Sequence, residues 1–220
     1  MNTHSPNKIY DIDPLWHAQL FVLIALVLQL LLPDNLVPGP RWVLPALEGI
    51  LLISLFFTTP KTPIFRSLLR RVNVVTLSAL VSAANIYSLV RVAQDLLAGG
   101  KISNGHALII ASINIYLTNI IIFALWYWEI DAGGPGNRRR AEAHEHDFLF
   151  PQMATPEWRA PGWEPTFFDY LYVSATNATA FSPTDTLPLT RRAKLLMAIQ
   201  SIVSLITVAL VAARAVNILN

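Results

Sequence analysis

A chain of 220 residues with 54% hydrophobic residues, 14% charged residues and a mean hydropathy of +0.47 is too apolar for an ordinary soluble domain, which carries about 25% charged residues. Its formal charge of +2 offers no broad basic face for nucleic acid. The absence of cysteine excludes disulfides, thiolate metal sites and cysteine nucleophiles.

The opening stretch, MNTHSPNKIYDIDP, is polar and lacks the basic start and cleavage site of a signal peptide, so the chain is expected to stay unprocessed. The first apolar segment, Leu15 to Leu32, stops at Pro33. A PDNLVPGPR turn leads to the second, Trp42 to Phe57, which TTPKTP ends. The third runs from Val74 to about Leu97, and GGKISNG separates it from the fourth, Ala107 to Trp128. The fourth closes on Trp-Tyr-Trp, where an aromatic belt belongs. Glu129 to Pro165 is rich in Gly, Pro and charge, which predicts a loop with little core of its own. A short amphipathic helix follows (FFDYLYVSATNATA, from Phe167), then a polar turn (FSPTDTLPLT), a basic RRAK and the fifth apolar segment, Leu195 to Leu219. The short helix cannot cross a bilayer, which needs about 20 residues. Irregular backbone at membrane depth is tolerated only where it lines water or is buried in protein. A short helix and polar turn before a full-length span therefore read as a re-entrant loop.

The pattern predicts an all-α integral membrane protein with five transmembrane helices and one re-entrant helix and loop before the last. No internal repeat is visible. Residues 1–128 hold the first four helices, 129–165 a cytoplasmic or interfacial loop, and 166–220 the re-entrant helix, its turn and the inner helix. Lys and Arg counts set the orientation. With a cytoplasmic N-terminus, twelve fall inside (Lys8, Lys61, Arg66, Arg70, Arg71, Arg138, Arg139, Arg140, Arg159, Arg191, Arg192 and Lys194) and two outside, Arg41 and Lys101.

The stretch Asp169 to Val216 resembles the pore module of tetrameric pore-loop cation channels, the potassium-channel superfamily. Asp169-Tyr-Leu-Tyr-Val-Ser174 falls on the pore helix, Asp185-Thr-Leu-Pro-Leu-Thr190 on the Asp-x-x-Pro-x-Thr after the filter, and Lys194 on a basic residue that opens the inner helix. Leu210 to Val216 resembles the inner helix's end, and the fourth segment takes the place of the outer helix. The endings WYWEID-GGP and TNATAFSPTDTLPLT are also similar to those of an uncharacterised family of bacterial membrane proteins. The resemblance implies a homotetramer in the cell (inner) membrane passing monovalent cations. It makes Thr176, Asn177, Thr179, Ala180, Phe181, Ser182, Pro183, Thr184 and Asp185 the filter-like residues. Potassium channels enter their pore loop from outside, whereas the charge count places this one inside; ionotropic glutamate receptors carry the same module inverted.

The filter positions depart from the family. Thr-Val-Gly-Tyr-Gly reads Ala180-Phe181-Ser182-Pro183-Thr184 here. Stacked carbonyl rings need glycines, which reach conformations closed to residues with a Cβ. Pro183 also fixes φ and has no N–H. The residues leave a ring of hydroxyls with Asp185 beyond it, which favours cations over anions with little potassium-over-sodium discrimination. The alternative is structural: Ser-Pro-Thr-Asp is a turn and capping string, with Thr190 capping the last helix.

On the fifth segment Gln200, Ser204 and Thr207 share one stripe, which wets a path if the helix lines a pore and is packing glue otherwise. Glu48 and Arg91 either pair or snorkel to the outer surface. Asn85, Asn114 and Asn119 read as interhelical glue. His144-Glu-His-Asp147 reads as a solvated run rather than a zinc site, Arg138 to Arg140 as a headgroup contact, and Trp158, Trp163, Phe167 and Phe168 as interfacial anchors. His17 stands alone. No Walker loop, dinucleotide fingerprint, HExxH or nucleophile–base set occurs, so no enzyme activity, metal or cofactor is expected. The leading expectation is a cation-preferring, poorly selective tetrameric channel; the alternative is a non-conducting, channel-like membrane scaffold or interaction protein.

Overall fold

The computed structural model describes residues 16–57, 64–97, 105–135, 137–138, 145–155, 157, 159–180 and 185–219. It is all-α, with helices α1 (Trp16–Leu30), α2 (Val43–Phe57), α3 (Ile64–Leu97), α4 (Gly105–Ile130), α5 (Pro151–Ala154), α6 (Phe167–Ala180) and α7 (Arg191–Leu219). Two short strands, β1 (Phe148–Leu149) and β2 (Leu187–Pro188), pair antiparallel with Phe148 opposite Pro188.

Among the described residues, three stretches are long and apolar enough to cross a membrane: Arg70–Leu96, Ala107–Gly133 and Arg191–Ala213. At 1.5 Å per residue the first two run about 40 Å, more than a hydrocarbon core of about 30 Å. The helices α1 and α2, with 15 residues each, are apolar but shorter than that requirement. Five segments of span-like hydropathy thus become three span-length helices and two shorter ones. The third helix also starts ten residues before the apolar segment, at Ile64. Its first turns hold Arg66, Arg70 and Arg71, and arginine is a strong helix former with nothing here to break the helix.

At the centre stands α4, packed by α1, α3, α6 and α7, while α2 packs on α1 and α3. A helix buried on nearly every side must be apolar or satisfied all round. Accordingly Leu108, Ala111, Ile115, Ile122, Ala124, Tyr127 and Trp128 are buried. One core cluster gathers around Tyr127, Trp128, Phe148, Phe167 and Tyr170 at the C-terminal end of α4. A second gathers Leu36, Val37, Leu89, Val92, Leu108 and Ile115 at the other end. The outer faces stay apolar, with Leu20, Leu23 and Val27 on α1 and Ile202, Leu205 and Val208 on α7 exposed. Lipid-facing helices carry this surface.

A sharp bend follows α4. Asp131–Gly133 forms a 3-10 turn, and Ala132 (φ 50°), Gly133 (φ 75°) and the capping Gly134 (φ 96°) have positive φ in succession. Glycine reaches positive φ freely, but alanine does so at a cost of about 1–2 kcal/mol. The bend turns the chain back over α4 and folds Asp131 inside.

Candidate functional site

The short helix α6 is started by one half of a capping box: Asp169 Oδ2 accepts from Thr166 N (2.7 Å) and Thr166 Oγ1 (2.8 Å). The cap at α7 is Thr190, whose Oγ1 accepts from Ala193 N at 3.3 Å, the structural role its position predicts. From its first turns, where Tyr170 meets Asp131, α6 follows α4, with Ser174 donating to Ile120 O (2.7 Å) and Thr179 Oγ1 3.3 Å from Tyr116 Oη. The chain then returns: Asp185 and Thr186 line a cavity with Asp169 in the first turn of α6, and Leu187 pairs with Leu149.

Between α4, α6 and α7 lies a buried polar lock centred on Gln200. Its Nε2 donates to Ser174 O (2.9 Å) and Ser174 Oγ (2.7 Å). Its Oε1 accepts from Tyr127 Oη (2.5 Å) and Asn177 Nδ2 (2.8 Å). Asn177 also donates to Met197 O (3.0 Å) and accepts from Ser201 Oγ (3.2 Å). An amide side chain offers two donors and two lone pairs, and Gln200 uses all four. One turn on, Asn119 Nδ2 donates to Ser204 Oγ (2.9 Å), and Thr207 Oγ1 donates to Val203 O (2.7 Å). The stripe Gln200, Ser204, Thr207 is therefore turned inward, at 0–1% exposure.

Of the filter-like residues, Asn177 belongs to the lock. Thr176 and Thr179 back-bond to their own helix, at Tyr172 O (2.9 Å) and Ala175 O (2.7 Å). Ala180 ends α6, exposed. Phe181 to Thr184 lie outside the described residues. Asp185 is exposed at the mouth of a cavity of about 140 Å³ that it shares with Asp169, Tyr172, Gln152 and Thr186.

A second cluster clamps the end of α4. Arg70 pairs with Glu129 (3.2 Å). Asp131 accepts from Tyr170 Oη (2.5 Å) and from the N–H groups of Asp147 (2.7 Å) and Phe148 (3.2 Å), with His146 Nδ1 at 3.3 Å and Arg138 Nε at 3.5 Å. Arg138 also donates to Trp128 O (2.6 Å) and Pro165 O (3.2 Å) and stacks over the Tyr170 ring. Asp147 takes two bonds of 2.6 Å from Arg192 and one from Thr190 Oγ1. Three arginines thus pair with three buried carboxylates, so each of these carboxylates has a cationic partner.

The structure corrects four readings. Asp147, the end of the His-Glu-His-Asp string, is fully buried rather than solvated, because Arg192 and the β1–β2 pairing draw it onto α7. Arg138 is buried at the carboxylates instead of reaching headgroups; Arg139, Arg140 and His144 lie outside the described residues. Phe167 is a core residue, whereas Phe168 is exposed and Trp163 half-buried; Trp158 lies outside the described residues. Glu48 and Arg91 neither pair nor both snorkel: Glu48 is buried, while Arg91 binds Asn35 O (3.2 Å) and Gln94 Oε1 (3.2 Å). Asn85 and Asn119 do act as glue, the former on Ile115 O (3.2 Å). Asp131, Tyr127 and Tyr170 are not among the site residues that the sequence predicts. The signal available was placement: Asp131 follows an aromatic run and Asp147 precedes Phe-Leu-Phe, acids set directly against core residues. Among the described residues no group of three or more His, Asp and Glu is placed to hold a metal. No protein-family model matches the chain, and neither does any curated protein or any solved structure compared with it.

Proposed function

We propose that the chain is a five-span membrane protein whose α6 and returning 185–190 segment form a re-entrant hairpin, and that it serves as a non-conducting, channel-like scaffold or interaction protein. One observation carries this reading. The polar stripe of α7 that a pore needs is spent inside the chain: Gln200 satisfies all four of its hydrogen-bonding sites on α4 and α6. What α7 turns outward is Leu195, Ile199, Ile202, Leu205, Ile206 and Val208. A path lined by that face between copies would stay dry. In this reading the clamp end, with Arg70, Arg138 and Arg192, faces the cytoplasm, as the Lys and Arg bias directs.

Purified full-length protein in proteoliposomes tests the reading. The expected result is cation flux no higher than in empty liposomes. A saturable cation flux carried by the protein would overturn it.

A second reading, the poorly selective tetrameric cation pore, is favoured by one feature: Asp169 and Asp185 both border the same cavity of about 140 Å³, room for several waters. Paired carboxylates at a hydrated mouth attract cations. Its requirement is a fourfold assembly that brings Asp185 to a common axis.

A further inference from the structure

Glu48 is an acid on an apolar helix, and it is 1% exposed. Carrying an ionised carboxylate away from water is expensive unless a cation or several donors compensate it. Its partner is Gln29, itself 5% exposed at the end of α1. With the amide nitrogen facing Glu48, Gln29 donates to both carboxyl oxygens, at 3.2 and 3.3 Å. Turned the other way, the amide carbonyl faces the carboxyl and accepts from it once Glu48 carries a proton. That second arrangement turns the amide nitrogen toward donors only, so the donating arrangement is the one its surroundings satisfy.

The charged groups nearby are engaged elsewhere. On α3, Arg91 binds Asn35 O and Gln94, and Asp95 accepts from Asn35 Nδ2 at 3.0 Å. In the α1–α2 connection Arg41 pairs with Asp34 at 2.9 Å. His17, the titratable group of α1, stands twelve residues before Gln29, about 18 Å along the helix. Among the described residues no Lys, Arg or His compensates Glu48.

Gln29 also lines a small cavity of about 10 Å³ with Asn85, Ser88, Thr118 and Leu32, just large enough for one water. The 31–37 segment closes over it, Leu36 O accepting from Ser88 Oγ at 2.8 Å. A buried acid, the amide that donates to it and a polar, water-sized space lined by that amide thus lie together at the Trp42 end of the bundle.

We propose that Glu48 and Gln29 form a proton-binding site within the membrane, loaded from the Trp42 end through the cavity beneath residues 31–37. The site is independent of whether α6 and α7 conduct. A packing role alone leaves Glu48 in one protonation state; a binding site titrates and exchanges.

Infrared titration of the full-length protein in lipid separates the two. The expected result is a protonated-carboxyl stretch that gives way to carboxylate as pH rises, shifts in D2O, and is lost in Glu48→Gln. The pH of conversion moves in Gln29→Leu but not in Gln19→Leu, at the opposite end of α1, and sodium chloride at fixed pH leaves it unchanged. If Glu48→Gln does not assemble, the displaced band of Glu48→Asp makes the same assignment. A Glu48 band that never converts while the protein stays folded, or no such band at any pH, overturns the proposal. A conversion that follows sodium concentration also overturns it, making a metal cation the ligand.

Discussion

Tyr170 donates its hydroxyl hydrogen to Asp131 Oδ2 at 2.5 Å, across 39 residues of chain, and so fixes the start of α6 to the end of α4. The same carboxylate holds the backbone N–H groups of Asp147 and Phe148. Removing the phenol oxygen in Tyr170→Phe takes away one charge-assisted bond and leaves the other donors in place. The expected loss is about 1.5–3 kcal/mol of unfolding free energy in detergent. Asp131→Asn strips the charge that faces Arg138 and should cost more, about 3–5 kcal/mol, because a buried arginine is left uncompensated. Equal effects of the two variants would show that Arg138 is satisfied by Trp128 O and Pro165 O alone.

The lock gives a second expectation. Gln200→Leu leaves the Tyr127 hydroxyl, the Asn177 amide and Ser174 with unmade bonds, at a cost of about 1–3 kcal/mol. Gln200→Leu and Asn177→Ala should be coupled, since both remove the same 2.8 Å bond. Thermal melting of the two single variants and the double variant measures it; strict additivity would dissolve the lock into independent contacts.

Much of the fold was legible because its signals are local. Apolar runs and their Pro and Gly stops gave the helices, and the Thr-x-x-Asp and Thr190 caps sit where such residues cap. The clamp was not legible, because its parts are distant in sequence. Asp147 and Arg192 look like loop charges until β1 and β2 pair and bring them together. Polarity also misled: Gly, Pro and charge between 129 and 165 read as a loop with little core of its own, yet Asp131, Arg138 and Asp147 in it are buried and paired. The stripe on α7 was visible as a period, but a period gives a face, not the neighbour that the face meets.

The bend after α4 is a third test. Gly134 sits at φ 96°, and a Cβ there would lie 3.1 Å from Glu129 Oε1 and 3.3 Å from Glu129 O. Gly134→Ala is therefore strained twice and displaces the partner of Arg70. A loss of more than about 1 kcal/mol is expected. Ala132→Gly, at φ 50°, should be neutral or stabilising, since it relieves a left-handed alanine. Chemical denaturation of both variants checks the sign as well as the size.

Orientation is tested at Asn137, which is exposed beside the clamp. The chain has no cysteine, so Asn137→Cys is a single clean label. In intact cells it should be shielded from an impermeant thiol reagent and react after lysis, as the Lys and Arg bias requires. Ready labelling of intact cells would invert the topology and favour the orientation of potassium channels.

Asp185 decides between the two functional readings. It is exposed, borders the cavity with Asp169, and receives Thr186 Oγ1 at 3.4 Å, a weak bond. In a scaffold no permeant ion depends on its charge, and the residue sits at the surface. Asp185→Asn should then change stability by no more than about 0.5 kcal/mol, with no cation flux in either protein. In a tetrameric pore, four such carboxylates ring the axis and concentrate cations at the mouth. Asp185→Asn keeps the shape but removes that field, so conductance falls at low salt and recovers at high salt, where a Debye length of about 3 Å at 1 M screens the ring. Flux and melting measured on both proteins at low and high salt separate the readings. A salt-dependent loss of flux in Asp185→Asn would move this residue from the rim of a surface cavity to the mouth of a pore, and would show that the apolar face of α7 is not what lines it.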